Sequence, residues 1–336
     1  GSMNRRERRR QEKLGRKGAA ETVRVQRLRE AAALRAAGKR DEAALLYQSL
    51  LETNPDDTEA MYRLGMTRAT AGAVAEARDL LMRVVEIDPN FADGFSDLGV
   101  LNRRLGDSDA ARAAYRKALD LKPDHVDALY NSGNLENAAG ETEAAESFYR
   151  RAIAARPGHQ GALNNLGLLL HKKGDHEGAA SIYRQALSHD DTLAKTYNNL
   201  GNALRDTGGD SGGDSGHDSG ALEQSVASYR RSVELDADLC DGWRNLSVGL
   251  QKMHLMEDAV EPARRALALQ PDNAELLLNL GTLLVRLGQI KKGAAAFEAA
   301  LAIDPDYAEA HWNRAHVLLM HGDFRAGWRE YEWRLR

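Results

Sequence analysis

Asparagine recurs at Asn131, Asn165, Asn199, Asn245, Asn279 and Asn313, one per 34 residues apart from 12 extra residues between Asn199 and Asn245. A carboxamide carries one acceptor oxygen and two N–H donors. A regular line of them can pair with the backbone of an extended polypeptide whatever its side chains are, which predicts broad sequence tolerance. The competing use of a repeated Asn is hydrogen bonding between helices, since buried amides need partners. On the same ruler Tyr130, Asn134, Asn164, Lys172, Lys195, Asn198, Asn202, Arg244 and Trp312 fall beside these amides. The expected peptide-binding set is therefore the six ladder asparagines with Asn134, Asn202, Tyr130, Lys195 and Arg244.

Other chemistry finds no seat. Asp210, Asp214 and Asp218 recur in the Gly-rich stretch Thr207 to Gly220. Calcium needs six or more oxygens held in a formed loop, with an acidic residue to close it, so a flexible extension is expected there instead. His171 with His176, and His311 with His316 and His321, are five residues apart. Two histidines four apart share a helical face as a metal motif requires, and five apart they do not. No metal, cofactor or catalytic residue is expected. No phosphate-cradling glycine loop follows a strand, and no Ser/His/Asp or Cys/His grouping has a scaffold. The lone Cys240 rules out an intrachain disulfide and suits a reducing compartment.

What must position the amides is a repeated helix pair. Pro55, Pro89, Pro123 and Pro157 are spaced by 34 residues, and Pro271 and Pro305 rejoin that ruler once a 12-residue insertion, about 208–219, is removed. Small residues recur at Gly65, Gly99, Gly133, Gly167, Gly201, Ser247 and Gly281, and again at Ala77, Ala111, Ala145, Ala179, Ser225, Ala259 and Gly293. Two helices must touch closely at these places, with leucines and the aromatics Tyr115, Tyr149, Tyr183, Tyr229 and Phe297 filling the rest of the seam. Asp56, Asp124, Asp272 and Asp306, just after the prolines, are expected to cap the next helix. Gly38, Gly72, Gly106, Gly140, Gly174 and Gly288 mark the turn within each hairpin.

This pattern of Leu-Gly, Tyr, Ala, aromatic and Pro at a 34-residue period resembles the tetratricopeptide repeat, from about Arg24 to Arg336. The resemblance implies an all-α, right-handed α-solenoid of eight full hairpins and a truncated ninth at 308–336. First helices would line a concave groove, and stability would come from stacked neighbours. The Asn line is similar to that of the O-linked N-acetylglucosamine transferase superhelix, where stacked asparagines hold an acceptor's backbone; Arg63 and Asp97 interrupt it in the second and third repeats. Repeats that clamp a C-terminal carboxylate are matched by Asn134, Asn165 and Lys195, but not by Tyr130 and Asn199.

The chain has 336 residues, 43% hydrophobic and 29% charged, with a formal net charge of −4. Residues 1–20 hold eight Lys or Arg against Glu7 and Glu12, so the remainder carries the acidic excess. Gly1 and Ser2 read as a tag remnant, and residues 1–23 as a basic, frayed leader with no nucleic-acid role. With no apolar run of about 20 residues the chain is expected in the cytoplasm, off the membrane. The final segment GDFRAGWREYEWRLR is similar to the last repeat of bacterial proteins in which such an array precedes a glycosyltransferase domain. That resemblance implies a non-enzymatic arm that recognises a protein acceptor such as flagellin, with catalysis beyond residue 336. The alternatives are a free-standing scaffold for a cytoplasmic assembly, self-associating as a homodimer, or the arm of a sulfotransferase.

Overall fold

The computed structural model describes residues 5–207 and 219–335, and every structured segment among them is helical. Two compact units emerge, Gly1–Pro157 and Gly158–Arg336. The first holds four hairpins: α1 (Arg5–Ala36) with α2 (Arg40–Thr53), α3 (Thr58–Thr70) with α4 (Val74–Ile87), α5 (Ala92–Arg104) with α6 (Ser108–Leu121), and α7 (Val126–Ala138) with α8 (Thr142–Ala155). The second holds five: α9 (Gln160–Lys172) with α10 (His176–His189), α11 (Ala194–Thr207) with α12 (Ser219–Leu235), α13 (Cys240–Lys252) with α14 (Val260–Leu269), α15 (Ala274–Arg286) with α16 (Ile290–Ile303), and α17 (Ala308–Met320) with α18 (Phe324–Tyr331). A 3-10 turn, Glu332–Leu335, closes the chain. Within each unit the second helix of a hairpin packs on the first helix of the next, so each unit is an all-α solenoid.

The turn inside each hairpin is written locally. At Gly106, φ is +83°, which a side chain tolerates poorly. The Gly106 amide donates to the Arg103 carbonyl at 3.0 Å and the Asp107 amide to the Asn102 carbonyl at 2.9 Å, the paired bonds that end a helix in a left-handed residue. Asp107 then caps α6 by accepting from the Ala110 amide at 2.9 Å. Six other glycines, from Gly38 to Gly322, repeat the positive φ, and His254 adopts it (φ 60°) at the place where the other hairpins carry glycine.

The helix caps after the prolines lie one residue later than the sequence suggests. Asp57, not Asp56, accepts from the Ala60 amide at 3.1 Å, and Asn273, not Asp272, accepts from Leu276 at 3.1 Å. His125 stands in for Asp124, its Nδ1 accepting from Ala128, and Tyr307 follows Asp306 without a side-chain cap. The Pro-Asp pair forms the turn itself, so the next residue is the first in cap geometry.

The seam between paired helices is closed by glycine against a ring. A Cβ at Gly133 would lie 2.6 Å from Cε1 of Tyr149, and at Gly201 2.5 Å from Cε1 of Tyr229. These rings are fully buried, so an added methyl has to move a packed aromatic. The ring hydroxyls fare unequally. Tyr149 donates to Asn134 at 2.9 Å and Tyr229 to Asn202 at 2.8 Å. Where the Asn134 register position is Ala32 or Val100, the hydroxyls of Tyr47 and Tyr115 are buried with no hydrogen-bond partner among the described residues.

Two expectations change at the ends. Residues 5–23 of the basic leader belong to α1 rather than fraying. Residues 208–218 of the insertion lie outside the described residues, and α12 begins at Ser219. At the C-terminus the aromatics turn back on α17. The Trp333 ring stacks on His311 with centroids 4.0 Å apart and planes 5° apart, and Tyr331 meets His316 edge-on at 6.1 Å. His311 also bonds the Glu330 carboxylate and the Pro305 carbonyl. Met320, Phe324 and Trp328 stay exposed.

Candidate functional site

The first helices carry the register positions singled out by the sequence, and each unit presents its own set. In the first unit Arg63 on α3, Asp97 on α5 and Asn131 on α7 share that position. The Tyr62 hydroxyl donates to Asp97 Oδ2 at 2.6 Å, joining consecutive first helices. Burial pushes the Asp97 carboxyl above the usual carboxylate range; the Tyr62 bond opposes this, while the charges of Asp93 and Asp127 add to it. Burial, with the Asp97 bond, pushes the Tyr62 phenol up as well.

Beside this pair opens a cavity of about 440 Å³, lined by Arg35, Glu59, Tyr62, Arg63, Met66 and Phe91 among others. It combines a T-shaped aromatic pair, Tyr62 and Phe91 with centroids 5.1 Å apart, with two guanidinium groups and the two carboxylates of Glu59 and Asp88. Sequence reasoning passed over it because Arg63 and Asp97 interrupt the amide line. The signal that could have found it is an aromatic residue just after Pro89 in register with charged first-helix positions. Asn131 is half-buried on α7 with Tyr130 beside it, and the Tyr130 ring lies 6.3 Å from that of Tyr149.

In the second unit the amides divide into two kinds. Asn199 on α11 and Asn279 on α15 are half-buried, and no side-chain hydrogen bond is made by either among the described residues. Asn165 accepts from the neighbouring Asn164 amide at 3.2 Å, and Asn313 reaches Thr282 Oγ1 at 3.5 Å, the limit of a hydrogen bond.

Asn245 departs from expectation. It is 7% exposed, and its Nδ2 donates to Asn198 Oδ1 at 2.9 Å and to Asn202 Oδ1 at 3.2 Å. Asn198 is itself 8% exposed, and Asn202 also receives the Tyr229 hydroxyl. This network ties α13 to α11 and α11 to α12, so Asn245, Asn202 and Asn198 hold repeats together. Asn134 is likewise engaged by Tyr149. The physical reason is proximity: the first helices of consecutive repeats touch along this face, and an amide pointing into that contact takes a protein partner.

The remaining expected groove residues lie at the rim. Lys195 is exposed, and Arg244 is half-buried between Asp241 at 3.1 Å and Glu275 at 3.8 Å. Lys172 is exposed, and Trp312 is 42% exposed with its ring against His316 at 4.2 Å. His159 caps α9 through Nδ1, which accepts from Ala162 at 3.0 Å.

One trio of potential metal ligands gathers among the described residues: His171, His176 and Asp206, with one donor atom from each within 4.8 Å of the others. Five residues apart, the two histidines do not share one helical face. They instead end α9 and begin α10, facing each other across the turn with ring centroids 4.9 Å apart.

Profiles described as tetratricopeptide repeats match residues 97–160 and 142–194, 34–95, and 283–322, together more than half of the chain. No curated protein sequence matches. Among solved structures, MamA shares 28% identity over 49% of this chain and 96% of its own, with a TM-score of 0.45. PilF of Pseudomonas aeruginosa shares 20% over 67% of this chain and 97% of its own, TM-score 0.52. A tetratricopeptide repeat protein from Parabacteroides merdae shares 15% over 83% of this chain and 99% of its own, TM-score 0.51. The last two show a common fold and nothing finer. No helix among the described residues is long and apolar enough to cross a membrane. Repeats of this kind are protein-interaction scaffolds. With its period, its hairpin turns and its stacked helix pairs all of one kind, the chain belongs to the tetratricopeptide-repeat family.

Proposed function

We propose that the first-helix face of the second unit binds an extended polypeptide by its backbone. The observation that carries this reading is the pair Asn199 and Asn279, which offer half-buried carboxamides with no partner of their own at equivalent positions of α11 and α15. Asn165 and Asn313 extend the line to α9 and α17, and exposed Lys195 adds a cation at the rim, where Arg244 is paired with Asp241. An amide whose donors and acceptor are unmet by protein can satisfy both an N–H and a C=O of a passing strand. Such pairing does not read side chains, so specificity is loose and each contact is modest.

The test is fluorescence anisotropy with labelled, unstructured peptides of varied sequence. The double substitution Asn199→Ala with Asn279→Ala should weaken binding about tenfold, from a net loss of about 0.7 kcal/mol at each amide, while helicity at 222 nm stays unchanged. Equal affinity for both proteins overturns the reading.

The finer form of this function is acceptor recognition for a protein glycosyltransferase, supported by the resemblance of residues 322–336 to the end of such arrays. Exposed Phe324 and Trp328 are consistent with a further layer packing there. Purified flagellin should then bind the unmodified chain and lose affinity with the double substitution. Failure of flagellin to bind, with peptides still binding, removes the finer form and leaves the groove.

A further inference from the structure

We infer that His171, His176 and Asp206 form a binding site for a divalent transition-metal ion of the zinc class, one that staples α9 and α10 to α11. This inference is independent of peptide binding on the first-helix face.

The fold brings the three together from separate elements. His171 lies in the last turn of α9, the chain reverses at Gly174 with φ +83°, and His176 opens α10. Asp206, in the last turn of α11, reaches across so that Oδ2 lies 3.0 Å from His171 Nε2. One donor atom from each residue falls within 4.8 Å of the other two. A tetrahedral ion with bonds of about 2.0–2.1 Å holds its donors about 3.3 Å apart. Small side-chain rotations of half-exposed residues close that difference. Two imidazoles and one carboxylate suit zinc, nickel or copper rather than calcium or magnesium, which prefer all-oxygen shells.

Two further observations favour a cation over a simple ion pair. First, His176 Nδ1 is buried without a hydrogen-bond partner among the described residues, a polar atom whose lone pair or proton is unmet. Second, Asp206 occupies a register position that carries Arg104, Lys172, Lys252 and Arg286 in four other repeats and the uncharged Ala36, Thr70, Ala138 and Met320 in the rest. Asp206 is the one acid at this position, and it stands in the repeat that follows the two histidines.

Arg205 orients this carboxylate, its Nε donating to Oδ1 at 2.8 Å and its Nη2 to Oδ2 at 3.3 Å. Outer contacts of this kind fix a metal ligand's orientation. Three protein ligands leave one coordination position for water or an outside donor.

The test uses the full chain stripped with EDTA and titrated with Zn²⁺ by calorimetry, then with Co²⁺ by visible absorption. One Zn²⁺ per chain is expected, with a Co²⁺ band typical of four or five coordination. His171→Ala, His176→Ala and Asp206→Asn should each weaken binding more than tenfold, with helicity at 222 nm retained. Zn²⁺ should also raise the thermal midpoint of the unmodified chain and of none of the three variants. The inference is overturned by the absence of saturable Zn²⁺ binding, or by unchanged affinity in the His171→Ala, His176→Ala double variant, which would place the ion on other histidines.

Discussion

Replacing Asn245 by Ala separates the two uses of asparagine in this chain. The Asn245 Nδ2 donates to Asn198 Oδ1 at 2.9 Å and to Asn202 Oδ1 at 3.2 Å from a site only 7% exposed. Removing it deletes both bonds, but their consequences differ. Asn202 keeps the Tyr229 hydroxyl at 2.8 Å, whereas Asn198 Oδ1 loses the donor held by Asn245 while remaining buried. One bond replaceable by another costs about 0.5 kcal/mol, and one acceptor left unmet in a buried place costs about 1–3 kcal/mol, for a total of about 2 kcal/mol. With a urea dependence of about 2 kcal/mol/M, the unfolding midpoint should fall by roughly 1 M. Repeat arrays unfold by segments rather than all at once. The circular dichroism midpoint should therefore be read together with hydrogen exchange, which should speed up in α11 and α13 first. Asn199→Ala, at an amide with no protein partner, should shift the midpoint by less than about 0.5 kcal/mol in equivalent terms. The double variant Asn198→Ala, Asn245→Ala should cost less than the sum of the single ones, because neither leaves the other unmet. Equal midpoints for Asn245→Ala and Asn199→Ala, or strict additivity in the double variant, would refute the assignment of Asn245 to the inter-repeat network.

Two further outcomes follow from the same structure. Tyr47→Phe removes a buried hydroxyl that has no partner and should leave the thermal midpoint unchanged or slightly raised, whereas Tyr229→Phe deletes the bond to Asn202 and should cost about 1 kcal/mol; equal effects would show that Tyr47 is bonded after all. For Asp57, burial raises the carboxyl, but the Arg24 guanidinium at 2.5 and 2.9 Å and the Ala60 amide reverse this and hold it below its ordinary range. A carboxyl depressed in the folded state stabilises at pH above its unfolded value of about 3.9, and that contribution is lost as pH falls through the folded value. Arg24→Ala should therefore move the acid unfolding midpoint, followed at 222 nm, to higher pH; an unchanged midpoint would mean the pair contributes nothing to acid stability.

Much of the architecture was legible in the amino-acid sequence because it depends on residues close along the chain. A helix hairpin is closed within about 30 residues by its turn and its seam, so the 34-residue period, Gly106 with its positive φ, and Gly133 opposite Tyr149 can be read from spacing alone. The one-residue offset of the caps escaped for a local reason as well: the turn after Pro55 takes Asp56 into its own geometry and leaves Asp57 to cap.

The fate of a side chain between repeats was decided only by tertiary structure. Asn199, Asn245 and Asn279 hold the same place on the ruler and are indistinguishable in sequence, yet Asn245 alone of the three meets Asn198 and Asn202 on the preceding first helix. That outcome depends on neighbours 43 and 47 residues away. His171, His176 and Asp206 repeat the lesson, since no spacing rule links a helix end, a helix start and an acid 30 residues beyond. Periodicity determines which faces meet, whereas whether a polar group there is satisfied by the protein or left for a ligand depends on which particular side chains stacking brings within hydrogen-bond reach.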